Sequence, residues 1–353
     1  MPLPLLQKLV GTSHPILVTG HTGFKGTWLT LLLEELGIPV IGYSLPPTKD
    51  SLFVRLKREG SIVEKYHDIC DENELESFIT KYKPIAVIHL AAQPLVLDSY
   101  SNPESTFMTN VIGTVNLMKV SFKKDFIKAI MVITTDKVYK NNGSFKYYNE
   151  QDCLEGKDPY SASKVAVESV VTAWQNLSNN FGGPKITSVR AGNVIGGGDF
   201  AKDRLFPDYI RALTANEILK VRNPESTRPW QHVLDPLMGY LMAMEYLLSG
   251  NSLTAMNFGP NGKSLKVREI LEFGKKSWRL PSEIQFLNHE ERQIESVNLQ
   301  LDSSLAKNLL GWEPKWSQKE SAIATIEWWD KVINSSISPI DACRHDIMRI
   351  TQE

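Results

Sequence analysis

The sequence predicts a doubly wound parallel α/β sheet followed by a smaller C-terminal lobe. Short apolar runs of strand length alternate with helically spaced segments, and a glycine-rich turn stands between the first strand and the first helix. After Gly198 the alternation breaks into shorter pieces marked by Pro207, Pro224, Pro229 and Pro236. A chain of 353 residues is long enough to bury a sizeable core in one large domain with a lobe. The division expected is 1–190 for the sheet domain and 191–353 mainly for the lobe, with some segments returning to the sheet.

Ile16–Thr19 is an apolar run of the kind buried on both faces of a parallel sheet. Thr27 to Leu36 has helical spacing and ends at Gly37, a helix-stopping glycine. Pro39–Tyr43 reads as the second strand, and Ser61-Ile62-Val63 begins a third ahead of an acidic helix start at Asp71-Glu72. Pro84–Leu90 is the fourth strand, Glu104 to Phe122 a helix, and Ala129–Thr134 the fifth strand. Asp158-Pro159 opens a long helix, because aspartate caps and proline suits a first helical position that needs no N–H. Lys185–Arg190 is the sixth strand.

A formal charge of -1, with lysine and arginine scattered, speaks against nucleic acid as a partner. Cys70, Cys153 and Cys343 are far apart, odd in number and without metal-ligand spacing, so neither a disulfide framework nor a structural zinc is expected. That usage fits a reducing cytoplasm. The first residues lack the pattern of a signal peptide, and no stretch approaches the roughly 18 apolar residues of a membrane span.

Gly20-His21-Thr22-Gly23-Phe24-Lys25-Gly26 joins the first strand to the first helix. Small residues there let the chain turn sharply, approach a pyrophosphate and pack helix on strand, while the helix N-terminus offers N–H groups to phosphate. The turn therefore reads as a dinucleotide site on a Rossmann sheet. The second strand ends without a carboxylate for an adenosine ribose and without an arginine for a 2′-phosphate; NAD is favoured over NADP. Asp68, past the third strand, is placed for the adenine edge.

Tyr160 and Lys164 stand four residues apart on one face of the Asp158-Pro159 helix. Tyrosine titrates near 10 and is a poor base at neutral pH. The lysine and the helix N-terminus are expected to lower that pKa, so that the phenolate can take a hydroxyl proton as hydride leaves for nicotinamide.

Gly20 to Gly26, Leu90-Ala91-Ala92-Gln93, and Tyr160 with Lys164 resemble the extended short-chain dehydrogenase/reductase family that acts on nucleotide sugars. HTGFKG, TTDKVY, DPYSASK, RAGNVIGGGDF and RPWQHVLDP are similar to the branch whose 4,6-dehydratases use CDP-glucose. The resemblance implies a nucleotide-sugar substrate, a homodimer paired through helices, and an NAD cradle that takes in Thr22, Phe24, Lys25, Ser44, Ile69 and Thr109 beside the residues above. It implies Thr135, Asp136 and Lys137 as the dehydration residues, with Lys137 where many 4,6-dehydratases carry glutamate. Asp136 is then the acid and Lys137 the base, with Thr135 on the sugar, although adjacent opposite charges stabilise the reverse protonation states and burial must oppose this. Gln93 is expected to face sugar or nicotinamide, and Asn193, Arg204 and Arg228 the diphosphate. Trp230 is open to either base stacking or core packing. His89 is expected to be a satisfied buried histidine. The other readings are a dehydratase or 4-epimerase for a different nucleotide sugar, and a non-catalytic NAD sensor.

Overall fold

Strands without polar alternation must be covered on both faces, and the seven-stranded central sheet does this. In the computed structural model, which describes residues 3–143, 146–201, 204–279, 283–287 and 299–352, every neighbouring pair in this sheet is parallel. β1 is Ile16–Thr19, β2 Val40–Ser44, β3 Val63–Tyr66, β4 Ala86–His89 and β5 Ala129–Ile133. The order from one edge is Ala255–Phe258, Lys185–Ala191, β5, β4, β1, β2, β3. β1, β2, β4 and β5 are buried throughout, whereas edge strand β3 is half exposed. The expected third strand thus starts only at Val63, and the flanking residues of β2, β4 and β5 go into turns.

Two apolar clusters cover the faces. One holds Leu17, Ile41, Phe78, Leu117 and Val167. The other runs from Leu3 through Val18, Trp28 and Met131 to Trp312 and Ile350, so the C-terminal residues share the core of the sheet. Beyond residue 191, apart from Ala255–Phe258, which returns to the central sheet, the chain forms helices and two- or three-residue strand pairs such as Val194–Ile195 with Gln231–His232, and Thr227–Arg228 with Leu265–Lys266.

The helix expected from Glu104 to Phe122 is broken in its middle. Pro103–Phe107 and Gly113–Phe122 are α-helical, but Met108–Ile112 is a π-turn. Its buried Asn110 donates to the Gln93 carbonyl at 3.2 Å and the Ser163 hydroxyl at 2.8 Å, and accepts from Gln93 N at 2.8 Å. Those bonds reach loop and helix partners distant in sequence, and π-turns of this kind recur at functional sites. Pro159–Phe181 is one long helix, capped by Asp158, whose carboxylate accepts from Ser161 N at 2.9 Å. Among the described residues no helix is long and apolar enough to cross a membrane, and no histidine, cysteine and carboxylate group could hold a metal ion.

Candidate active site

The sheet order reverses between β1 and its neighbours β2 and β4, leaving a crevice at their carboxyl ends. The glycine turn occupies it. Gly20 has φ +74°, and a Cβ there would stand 2.7 Å from Ala91 N; one on Gly26 would stand 2.1 Å from Gly20 O. Both glycines are required by backbone on backbone. Gly23 differs: it is exposed, its Cβ would meet only Gly20 O at 3.3 Å, and no side chain caps the Phe24–Glu35 helix that it begins. The uncapped N–H groups fit a pyrophosphate drawn close over Gly23. Phe24 is half-buried beside the turn.

Around this turn the Ser44 and Thr22 hydroxyls lie 2.8 Å apart, and Thr22 donates to the Leu45 carbonyl at 3.0 Å. Beneath it His21 pairs with Glu64 of β3 at 2.8 Å. Asp68 is exposed and accepts from Cys70 N at 2.8 Å, while Ile69 is buried against Gly113. Cys70 donates to Met108 O and Asn116 to Cys70 O, which brings the Asp68–Ile69 loop to the π-turn carrying Thr109. Leu90 and Ala91 follow β4: Leu90 N donates to Thr19 O, and Ala91 N to the Thr19 hydroxyl, so Leu90-Ala91-Ala92 continues alongside Gly20. His89 bridges the hydroxyls of Thr19 at 2.6 Å and Thr114 at 3.0 Å, the satisfied core histidine expected.

The strand-end residues and the Pro159–Phe181 helix meet on the same side of the sheet. Thr135 donates to Asp136 Oδ1 at 3.0 Å, and its hydroxyl also acts on the buried Tyr160 phenol, favouring the ionised form. Asp136 is buried, and burial lifts its carboxyl to about 6 against the opposing pull of Lys137, Thr135, Arg228 and Lys25. Burial thus wins over the adjacent lysine, and an aspartic acid near neutrality becomes available. Lys137 is half-buried on the single turn Asp136–Val138.

Tyr160 departs from the sequence expectation. Its pKa is pushed up to about 12, because burial outweighs the opposing effect of the Thr135 hydroxyl. Lys164 does not offset this: its ammonium donates to Ile133 O at 3.0 Å, and burial lowers it to about 8 against the charge of Glu168. The phenol is therefore protonated in the protein alone.

Lys25 reaches further than a glycine-turn residue was expected to. It donates to the Tyr240 hydroxyl at 3.3 Å and is lowered to about 8 by burial, then Arg204, with Asp136 opposing. Arg204 donates to Asp199 at 3.2 Å, and its charge favours the Tyr160 phenolate. Arg228 acts electrostatically on Asp136, and half-buried Asn193 precedes the Val194–Ile195 strand. Three cations, Lys137, Arg228 and Lys25, thus act on one carboxyl, a field suited to an anionic substrate.

Two of the expected substrate residues are engaged by the protein itself. Gln93 spends its amide on its own loop, donating to Leu95 O at 3.1 Å and Thr106 at 2.9 Å and accepting from Leu95 N, and so braces that loop. Trp230 is 5% exposed, packs edge-on to Phe206 and donates to Leu265 O at 3.3 Å, which settles it as core. Glu168, Asp199 and Tyr240 are site-supporting residues that sequence reasoning did not single out. Only Glu168 left a local signal, one helical turn beyond Lys164.

A family model described as GDP-mannose 4,6 dehydratase matches residues 17–324. The chain is 42% identical over 332 residues to the CDP-glucose 4,6-dehydratase of Salmonella typhimurium, covering 92% of each protein. Among solved structures it is similar to a UDP-glucose 4-epimerase of Thermotoga maritima with UDP-glucose, with TM-score 0.78, 24% identity, and coverage of 91% of this chain and 100% of the other. It is also similar to a dTDP-glucose 4,6-dehydratase of Bacillus anthracis in complex with NAD, with TM-score 0.76, 22% identity, and coverage of 93% and 99%.

Proposed function

Because the chain belongs to the GDP-mannose 4,6 dehydratase family of extended short-chain dehydrogenases/reductases, we propose that it is an NAD-dependent lyase converting CDP-glucose to CDP-4-keto-6-deoxyglucose. The observation that carries this reading is Thr135, whose hydroxyl acts on the Tyr160 phenol and donates to the Asp136 acid at 3.0 Å. An oxidation needs only the first of these; an elimination needs both. The 42% identity to a CDP-glucose 4,6-dehydratase supports the choice of base and sugar.

NAD would be held by the glycine turn, Ser44, Asp68, Ile69, the Leu90–Ala92 segment, Thr109, Tyr160 and Lys164. When bound, NAD takes the hydride of C4, later returns it to C6, and brings a positive nicotinamide that favours the ionised phenol. Tyr160 accepts the C4 hydroxyl proton, and Lys164 places positive charge nearby. The resulting 4-keto group acidifies C5–H, whose proton goes to Lys137. Asp136 protonates the C6 hydroxyl, which leaves as water as the C5–C6 double bond forms. Reduction at C6 and protonation at C5 complete the product. Asn193, Arg204 and Arg228 hold the diphosphate, with substrate binding mainly in residues 191–353 and cofactor in 1–190.

We also take the protein to be a cytoplasmic homodimer supplying deoxysugars for surface polysaccharide. The helices at 96–122 and 159–181 pack together, and the first of these segments exposes Leu97, Tyr100, Met108 and Ile112; exposed apolar side chains of this kind suit pairing with a second copy.

Proton NMR in D2O, with NAD and CDP-, dTDP-, UDP- or GDP-glucose or UDP-N-acetylglucosamine, tests the reading. A C6 methyl signal with deuterium at C5, strongest with CDP-glucose, is expected. Inversion at C4 without a methyl would make the protein an epimerase, and no turnover of any sugar would leave a cofactor-binding sensor.

A further inference from the structure

The carboxylate of Glu168 is 4% exposed and takes four donors. Oε1 accepts from the Thr134 hydroxyl and from Arg190 Nε at 3.0 Å; Oε2 accepts from Ser188 at 2.7 Å and from Arg190 Nη2 at 2.8 Å. A buried carboxylate survives only when paired and hydrogen-bonded, and this one is satisfied on both oxygens. Its placement has a consequence for the site. Tyr160, Lys164 and Glu168 lie at successive four-residue steps on one helix face. Lys164 bonds the Ile133 carbonyl and Glu168 bonds the Thr134 side chain, so two successive turns of the helix grip two successive residues at the end of β5. The next residue along the chain is Thr135, and then come Asp136 and Lys137.

We propose that Glu168 is a positioning residue that clamps the helix bearing Tyr160 and Lys164 to the strand end bearing Thr135, Asp136 and Lys137, holding the oxidising and eliminating groups in one register. The argument rests on the dehydratase reading above, because only a reaction with both steps needs the two groups aligned on one sugar. Arg190 anchors the clamp from the neighbouring strand, bonding Tyr139 at 2.9 Å as well as Glu168. The charge of Glu168 also opposes the lowering of Lys164 by burial, so the clamp sustains the ammonium while it fixes the strand.

Thr134→Val tests this with the Glu168–Arg190 pair left intact, and Thr134→Ser restores the donor. With saturating NAD and CDP-glucose, Thr134→Val is expected to oxidise C4 within about twofold of the parent rate but to eliminate water about tenfold more slowly, as a sub-ångström misplacement of an acid or base does. Reduced nicotinamide then builds up in the steady state, visible by its absorbance, while NAD affinity measured by calorimetry stays within about twofold. Thr134→Ser should remove the build-up. Glu168→Gln should show the same accumulation in whatever fraction folds. If Thr134→Val slows both half-reactions in proportion, or if serine fails to restore the partition, the clamp is wrong although the dehydratase reading stands. If the parent protein turns over no nucleotide sugar, the dehydratase reading falls and the clamp with it.

Discussion

Thr135 donates its hydroxyl to Asp136 Oδ1 at 3.0 Å, and the same side chain favours the ionised form of the Tyr160 phenol. One small side chain therefore connects the residue that starts the oxidation with the residue that ends the elimination. Tyr160→Phe removes the phenol and keeps the ring. A fall in kcat of about 10²–10⁴ is expected, the usual worth of a positioned acid or base, with NAD affinity by calorimetry held within about threefold. An equal loss in NAD affinity would move Tyr160 from proton transfer to cofactor binding.

Asp136 gives a pH prediction with a definite sign. Its carboxyl is raised from the ordinary 3.8 to about 6 by burial. A raised folded-state pKa contributes stability that is complete below the unfolded value and is lost as pH rises through the folded one. Asp136→Asn should therefore be more stable than the parent at about pH 7.5, by roughly 1–3 kcal/mol, or a few degrees in Tm. The advantage should vanish below about pH 4. Equal melting temperatures at both pH values would show that burial does not penalise this carboxylate.

The same group sets the pH dependence of elimination. As an acid Asp136 must be protonated, so the single-turnover elimination rate should be level below about 6 and decline above it. A rate that instead rises through this region would assign Asp136 the role of base.

The three glycines of the turn should separate by function. A Cβ on Gly26 meets backbone at 2.1 Å, so Gly26→Ala should lower Tm and yield of folded protein. At Gly23 a Cβ meets only Gly20 O at 3.3 Å and projects into the crevice, so Gly23→Ala should fold with near-parental Tm yet lose NAD affinity about tenfold or more. Calorimetric titration with NAD beside thermal melts decides it; unchanged affinity in Gly23→Ala would place the pyrophosphate elsewhere.

Trp230 is predicted to act through stability. Burial against Phe206 makes Trp230→Ala costly by about 3–5 kcal/mol, read by urea denaturation. A milder Trp230→Phe, which keeps much of the volume, should leave KM for CDP-glucose within about twofold. A large rise in KM with unaltered stability would return the indole to the substrate.

Legibility followed the range of the determining interactions. The Asp158-Pro159 cap, the glycine turn and the four-residue step from Tyr160 to Lys164 depend on neighbours within one turn of chain, and each stands where local rules put it. The middle of the Glu104–Phe122 helix does not, because Asn110 answers to Gln93 and to Ser163, 53 residues away. The surroundings of Gln93 and Trp230 were illegible for the same reason: Thr106 and Leu95 bond the amide, and Leu265 and Phe206 meet the indole.

The sequence by itself determined the doubly wound order of elements, the glycine turn after the first strand and the four-residue step from Tyr160 to Lys164, since spacing and small side chains encode these within short windows. Only the tertiary structure decided their protonation. Burial is a property of the whole molecule, and it lifts Tyr160 and Asp136 while lowering Lys164 and Lys25. Desolvation at the sheet edge exceeds the attraction of any single neighbour in the chain, and so the local expectation for the phenol had the wrong sign.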